Sequence, residues 1–131
     1  MFNFIRLSFD LVCCTPMNSQ QKNVLDGHNV AFHFSPRLVD NVIVRNTFIN
    51  SQWGNEERVG GCPLKPGCDF SLKILCEQQG YKIFINDIEC TFYSHRISPQ
   101  SITHLRITGL MTLHSALYKC LSVRIYIFVY I

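Results

Sequence analysis

Between His33 and Arg58 the sequence HFSPRLVDNVIVRNTFINSQWGNEER concentrates polar side chains at a spacing of two. His33, Ser35 and Arg37 alternate with Phe34 and Pro36. Val44 and Asn46 are two apart, and so are Glu56 and Arg58, just after Trp53 and Gly54. Two residues is the side-chain period of an extended strand, so each set falls on one face. The residue types suit a neutral, hydroxyl-rich ligand. Arg37 and Arg58 donate, Glu56 accepts, and His33 and Asn46 do either. Charged members strengthen such bonds, and a carboxylate between two guanidinium groups orients their planar forks in advance. Trp53 offers a flat apolar surface beside those polar groups. A pyranose sugar, with a C–H face and a ring of hydroxyls, matches that combination.

Other chemistries fit less well. The five histidines and seven cysteines lack the close pairs of a zinc site: Cys13 and Cys14 are adjacent, Cys62 and Cys68 are separated by five residues, and Cys76, Cys90 and Cys120 stand apart. No motif marks one of these thiols as an activated nucleophile beside a histidine. Glu56 and Glu57 are a carboxylate pair, but neighbours on a strand point to opposite faces and do not flank one glycosidic bond as acid and base. The residues therefore describe a binding site and not an enzyme, with no cofactor and no metal. His28, His95, His104 and His114 read as surface or structural residues.

The elements that must hold the site are strands. Ile5, Leu7, Phe9 and Leu11 alternate with Arg6, Ser8 and Asp10, which predicts a first strand. A polar, loop-like stretch runs from Thr15 to His28. Further strands are expected over Asn29–Phe34, Asn41–Phe48, Asp69–Cys76, Tyr81–Asn86, Ile88–Tyr93, Ile102–Thr108 and Met111–Tyr118. Pro36 does not donate to a ladder, so the strand from Asn29 is expected to end there or to place Pro36 where no donor is needed. Asn50-Ser51, Gly60-Gly61, Pro63, Pro66-Gly67, Gly80 and Pro99 punctuate the runs. The final IYIFVYI, Ile125 to Ile131, is β-prone and uncharged. It reads as a terminal strand that is an aggregation hazard if left bare. Short strands joined by short turns predict an all-β antiparallel sandwich.

Length and composition agree. At 131 residues, with 47% apolar and 16% charged residues, the chain is sized for one compact domain. The net charge of +3 is scattered, so nucleic-acid binding is not indicated. Arg6 and Asp10 interrupt the first apolar run and no small-residue cleavage site follows, which favours a strand over a signal peptide. No run approaches the roughly 20 apolar residues that cross a bilayer, so stable membrane insertion is not expected. An odd number of cysteines without paired spacing favours free thiols in a reducing compartment.

The ordered motifs His33-Phe34-Ser35-Pro36-Arg37, Val44-Arg45-Asn46 and Trp53-Gly54-Asn55-Glu56-Glu57-Arg58 resemble the H-x-N-P-R, V-x-N and W-G-x-E-x-R signature of the galectins, animal lectins for β-galactosides. The similarity runs from about Asn29 to Tyr118, through Pro63–Gly67, Phe70, Tyr81–Asn86 and His95-Arg96. It implies a jelly-roll sandwich of two antiparallel sheets. It also implies carbohydrate-binding residues His33, Ser35, Arg37, Val44, Asn46, Trp53, Glu56 and Arg58. In that scheme His33 and Arg37 hold the axial 4-hydroxyl of galactose and Asn46 and Glu56 the 6-hydroxyl. Trp53 stacks under the ring, while Glu56 and Arg58 reach the neighbouring sugar. The resemblance further implies metal-free binding of galactosides on glycoconjugates and glycoproteins. It implies a cytoplasmic and nuclear location with unconventional secretion to the outside, and homodimers among the assemblies.

The chain departs from the pattern in three places. Ser35 stands where the family has asparagine, which removes an amide donor and makes a direct bond to the sugar water-mediated or absent. The loss of such a bond is worth about 1–3 kcal/mol. Only 32 residues precede His33, fewer than the family's further amino-terminal strands need, so residues 1–28 are expected to give one strand and a polar loop before a recognition domain over 29–118. Residues 119–131 form an atypical hydrophobic tail. Two other readings stay open: a galectin-like interaction module with weak or lost galactose binding, on account of Ser35, and a truncated product that folds poorly, on account of the two ends.

Overall fold

Apolar residues at every second position give each strand one face to bury, and two such sheets bury those faces against each other. The computed structural model describes residues 6–14, 27–119 and 124–131. Its strands are β1 (Ser8–Cys13), β2 (Asn29–Arg37), β3 (Val42–Ile49), β4 (Gln52–Trp53), β5 (Asp69–Cys76), β6 (Gly80–Ile85), β7 (Ile88–Ser94), β8 (His104–Thr108), β9 (Thr112–Lys119) and β10 (Arg124–Tyr130). They form two five-stranded antiparallel sheets, ordered β4-β3-β2-β1-β8 and β7-β6-β5-β10-β9. The fold is all-β, as the sequence predicts.

Leu7, Phe9, Leu11, Phe32 and Phe34 project from the first sheet to meet Leu72, Ile74, Tyr81, Ile83, Tyr93, Ile125, Ile127 and Val129 of the second. Phe32 lies nearly flat on Tyr81, with ring centroids 4.9 Å apart, and also contacts Tyr93 at 4.8 Å. Burying a phenylalanine in this way is worth about 3–5 kcal/mol against alanine. Because Phe32 and Phe34 flank His33, the same packing fixes the outward direction of His33.

The tight turns follow from local chemistry. Asn50-Ser51 and Asn86-Asp87 each place two consecutive residues at φ between 50° and 64°. This is the two-residue hairpin geometry that asparagine tolerates best among residues with a side chain. The first of these turns sets β4, and with it Trp53, beside β3.

β2 passes through Pro36 to Arg37, with Pro36 opposite Ile43 and Arg37 opposite Val42, so of the two placements expected for Pro36 it takes the one where no donor is needed. The Pro36 carbonyl accepts from Leu7 N at 3.0 Å, on the side where β1 has not yet begun, so the missing donor of proline costs no ladder bond. The strand expected from Ile102 instead begins at His104, because Ile102 N–H closes a single 3₁₀ turn over Pro99–Ser101 by bonding to Pro99 O. Ile5 and nearly all of the Thr15–His28 stretch lie outside the described residues.

The carboxyl-terminal run is an interior strand. β10 pairs with β5 on one side and β9 on the other, from Arg124 to Tyr130. Its inward residues Ile125, Ile127 and Val129 are fully covered, while Tyr126, Phe128 and Tyr130 look outward. The ladder thus satisfies backbone groups that an unpaired edge would expose. Ile131 closes the end by hydrogen bonds with Gly67 and Cys68.

Candidate functional site

The site is built across four neighbouring elements of the first sheet. β2 and β3 are registered so that His33 faces Asn46 and Ser35 faces Val44. β4 sets Trp53 opposite Phe48. β1 lies on the far side of β2, with Asp10 opposite His33. After β4 the chain stays on the β3 edge: Gly54 N donates to Thr47 O at 3.0 Å, Glu57 N to Arg45 O at 2.9 Å, and Arg45 N to Glu57 O at 3.0 Å. Strand alternation then turns Glu56 one way and Glu57 the other.

These residues bound an open cleft of about 300 Å³. His33, Ser35, Arg37, Asn46, Trp53 and Glu56 line it, and Arg6 and Ser8 extend it along β1. Trp53 is half exposed, its indole 4.8 Å from the His33 ring and 5.0 Å from Phe48. It therefore combines a supported position with an open face.

Arg58 and Val44 do not line the cleft. Arg58 stands behind Glu56, donating Nε–H to Glu56 Oε2 at 2.6 Å. That bond is the main reason the Glu56 carboxyl sits below its ordinary value; burial opposes it, and the charges of Arg58, Arg37 and His33 add to the lowering. Arg37 acts on Glu56 through its charge, and among the described residues the guanidinium hydrogen-bonded to that carboxylate is that of Arg58, through one N–H. Burial, then Arg6 and Arg58, push the Arg37 guanidinium below its ordinary value. Arg37 Nε is covered and has no hydrogen-bond partner among the described residues. Val44, 1% exposed, packs under the site beside Ser35.

Ser35 is also 1% exposed, and its hydroxyl donates to Leu7 O at 2.8 Å. The proton of that hydroxyl is committed to the backbone, leaving only oxygen lone pairs for the cleft.

One essential part was not identified from sequence. Asp10, 2% exposed, accepts from His33 Nδ1 at 2.5 Å, from Ser8 Oγ at 2.8 Å, and from Nε and Nη2 of Arg106, each at 3.1 Å. Burial raises the Asp10 carboxyl, but the His33 hydrogen bond and charge, Ser8 and Arg106 outweigh it and hold it below its ordinary value. An ionised carboxylate only accepts, so Nδ1 of His33 carries a proton toward Asp10 and Nε2 is the ring nitrogen left for the cleft. The signal was in the alternation of Arg6, Ser8 and Asp10, which places all three on the face shared with His33. Arg96, which the sequence marked only as part of the wider resemblance, reaches Asn46 Oδ1 at 3.1 Å.

The remaining titratable groups lie elsewhere. His95 donates Nε2–H to Glu77 O at 2.8 Å and packs edge-on against Tyr81, a structural role. Cys13, Cys62, Cys68, Cys76 and Cys90 carry free thiols. Burial pushes the Cys90 thiol up to about 11 and raises Cys62 and Cys76, the reverse of nucleophile activation.

Comparison with known proteins follows the same lines. The galactoside-binding lectin family matches residues 12–118. Galectin-3 of Cricetulus longicaudatus is 39% identical over 98 residues, covering 72% of this chain and 40% of that protein. A tectonin β-propeller repeat-containing protein of Drosophila melanogaster is 34% identical over 117 residues, covering 89% of this chain and 9% of that protein. The chain thus spans less than half the length of either relative. Among solved structures, sheep galectin-11 in complex with glycerol superposes with a TM-score of 0.70 at 25% identity, over 83% of this chain and 72% of that one. The signature residues, the two-sheet architecture and the family match converge: this chain belongs to the galactoside-binding lectins.

Proposed function

We propose that this chain binds β-galactosides of glycoconjugates in the cleft beside Trp53, without metal and without catalysing a reaction. The observation that carries the reading is the half-exposed Trp53 indole set 4.8 Å from His33, within a cleft that Arg37, Asn46 and Glu56 also line. A galactose ring stacked on the indole buries its C–H face, and its hydroxyls meet donors and acceptors together. His33 Nε2 accepts from the axial 4-hydroxyl while Arg37 donates to it. Asn46 and Glu56 take the 6-hydroxyl, and Arg58 orients Glu56 toward the next sugar.

Discrimination against the 4-epimer follows, because an equatorial hydroxyl leaves His33 and Arg37 unpaired. Ser35 weakens binding without abolishing it, since its hydroxyl proton is already spent on Leu7 O. The raised thiols support a binding role over covalent catalysis. A cytoplasmic and nuclear location with unconventional release, glycoprotein ligands and a homodimer rest on the family resemblance. Retention on immobilised lactose, with elution by free lactose and not by sucrose, tests the reading; flow-through of folded protein would overturn it.

A further inference from the structure

We infer that Arg96 is a positioning residue for the cleft: it touches no ligand there, yet sets the two groups assigned to the sugar 6-hydroxyl. This rests on the galactoside reading and deepens it. Arg96 follows β7 and lies behind the cleft, its guanidinium 4.9 Å over the ring of buried Tyr93. The Tyr93 hydroxyl is in turn hydrogen-bonded to Thr47 of β3 at 2.5 Å. From this seat the fork reaches two places. Nη1 donates to Asn46 Oδ1 at 3.1 Å, and Nη2 donates to Asn55 O at 2.9 Å and Glu57 Oε2 at 3.0 Å.

The consequences for Asn46 follow from counting. Its Oδ1 accepts from Thr47 N at 2.8 Å and from Arg96, and its Nδ2 donates to Gly54 O at 2.9 Å. Asn46 is 2% exposed, so its amide has no alternative partners in solvent. Both acceptor sites and one donor are used, which leaves a single N–H for a ligand in the cleft. Arg96 cannot be a hydrogen-bond acceptor, so it forbids the flipped amide that would aim NH₂ at its guanidinium.

The second consequence concerns Glu56. Asn55 and Glu57 bracket it, and Arg96 holds one by its carbonyl and the other by its carboxylate. Gly54 makes this geometry accessible: a Cβ there would sit 2.9 Å from Arg96 Nη1 and 3.2 Å from Asn46 Oδ1. One planar fork therefore orders the Asn46 amide and the arch carrying Glu56, and a point-charge ammonium does not reproduce it.

The test pairs ligand and protein changes on the full chain. Lactose and 6′-deoxylactose are titrated into wild type, Arg96→Ala, Arg96→Lys and Glu57→Gln, with near-ultraviolet circular dichroism confirming the fold of each. The Asn46 side-chain amide signals are followed by NMR in the ligand-free proteins. We expect Arg96→Ala and Arg96→Lys to shift and broaden the Asn46 amide signals. The preference for lactose over 6′-deoxylactose should shrink several-fold, while affinity for 6′-deoxylactose stays near wild type. Glu57→Gln, which removes only the ion pair, should give a smaller change in the same direction and serves if Arg96→Ala does not fold. Unchanged Asn46 signals, or equal losses for both sugars, would overturn the inference. If wild type binds neither sugar but the Asn46 signals still move in Arg96→Lys, the galactoside reading fails and the positioning role stands.

Discussion

Asp10→Asn probes the least visible part of the site. The substitution keeps the shape of a side chain that is 2% exposed but removes the charge shared by His33, Ser8 and Arg106. An asparagine has one acceptor oxygen where four donor contacts converge, and its NH₂ then faces other donors. Arg106 is partly exposed and regains water, which discounts the loss, whereas His33 Nδ1 is largely covered. Breaking a buried, hydrogen-bonded charge pair costs about 3–5 kcal/mol, and with that discount about 2–4 kcal/mol is expected. In a domain of this size the thermal midpoint falls by roughly 6–14 °C. Lactose affinity should fall about tenfold, since His33 loses the partner that fixes its tautomer. The sign of the pH dependence is also fixed. The Asp10 carboxyl is depressed in the folded chain, so its contribution is full above the ordinary aspartate range, about 4, and is lost as pH falls through the lower folded value. The stability gap between wild type and Asp10→Asn should therefore hold from neutral pH down to that range and narrow below it. Thermal scans from pH 7 to pH 3 with parallel lactose titrations decide it. A variant with unchanged midpoint and affinity at pH 7 would refute the reasoning.

Two further perturbations bear on separate claims. Ser35→Asn restores an amide donor at the floor of the cleft, and its Nδ2 can also replace the bond to Leu7 O; lactose affinity should rise roughly ten- to a hundredfold by calorimetry, as expected for about 1–3 kcal/mol. No change would mean that position 35 does not face the sugar. Removing residues 120–131 takes out β10, stripping Ile125, Ile127 and Val129 from the core, leaving β9 without its partner and baring one edge of β5; the expected result is loss of the cooperative thermal transition, and a shortened chain that unfolds at the wild-type midpoint would show β10 to be dispensable.

Much of this arrangement was legible because strand chemistry is periodic. The alternation of Phe32 and Phe34 with His33 and Ser35 placed the core and the cleft on opposite faces of β2 before any coordinates. The Asn50-Ser51 signal likewise marked the turn after which the chain runs back along β3, with Trp53 opposite Phe48. What escaped was partner choice between elements distant in sequence. Asp10 carried a visible face but not the information that β1 would lie against β2 in register with His33. Arg96 is 50 residues from Asn46, and no local pattern announces a contact at that separation. The place of β10 in the interior of its sheet was hidden for the same reason. Its sequence specifies a strand with one buried face, while its neighbours are set by which edges the rest of the fold leaves unpaired.

The most direct measurement is a titration of the wild-type chain with lactose and with cellobiose, its glucose-ended 4-epimer, read by Trp53 fluorescence and by calorimetry. Saturable, millimolar or tighter binding of lactose, with cellobiose silent and Trp53→Ala unresponsive by calorimetry, is the predicted result. Absence of a saturable lactose response in folded protein, or equal responses to both sugars, would contradict the account.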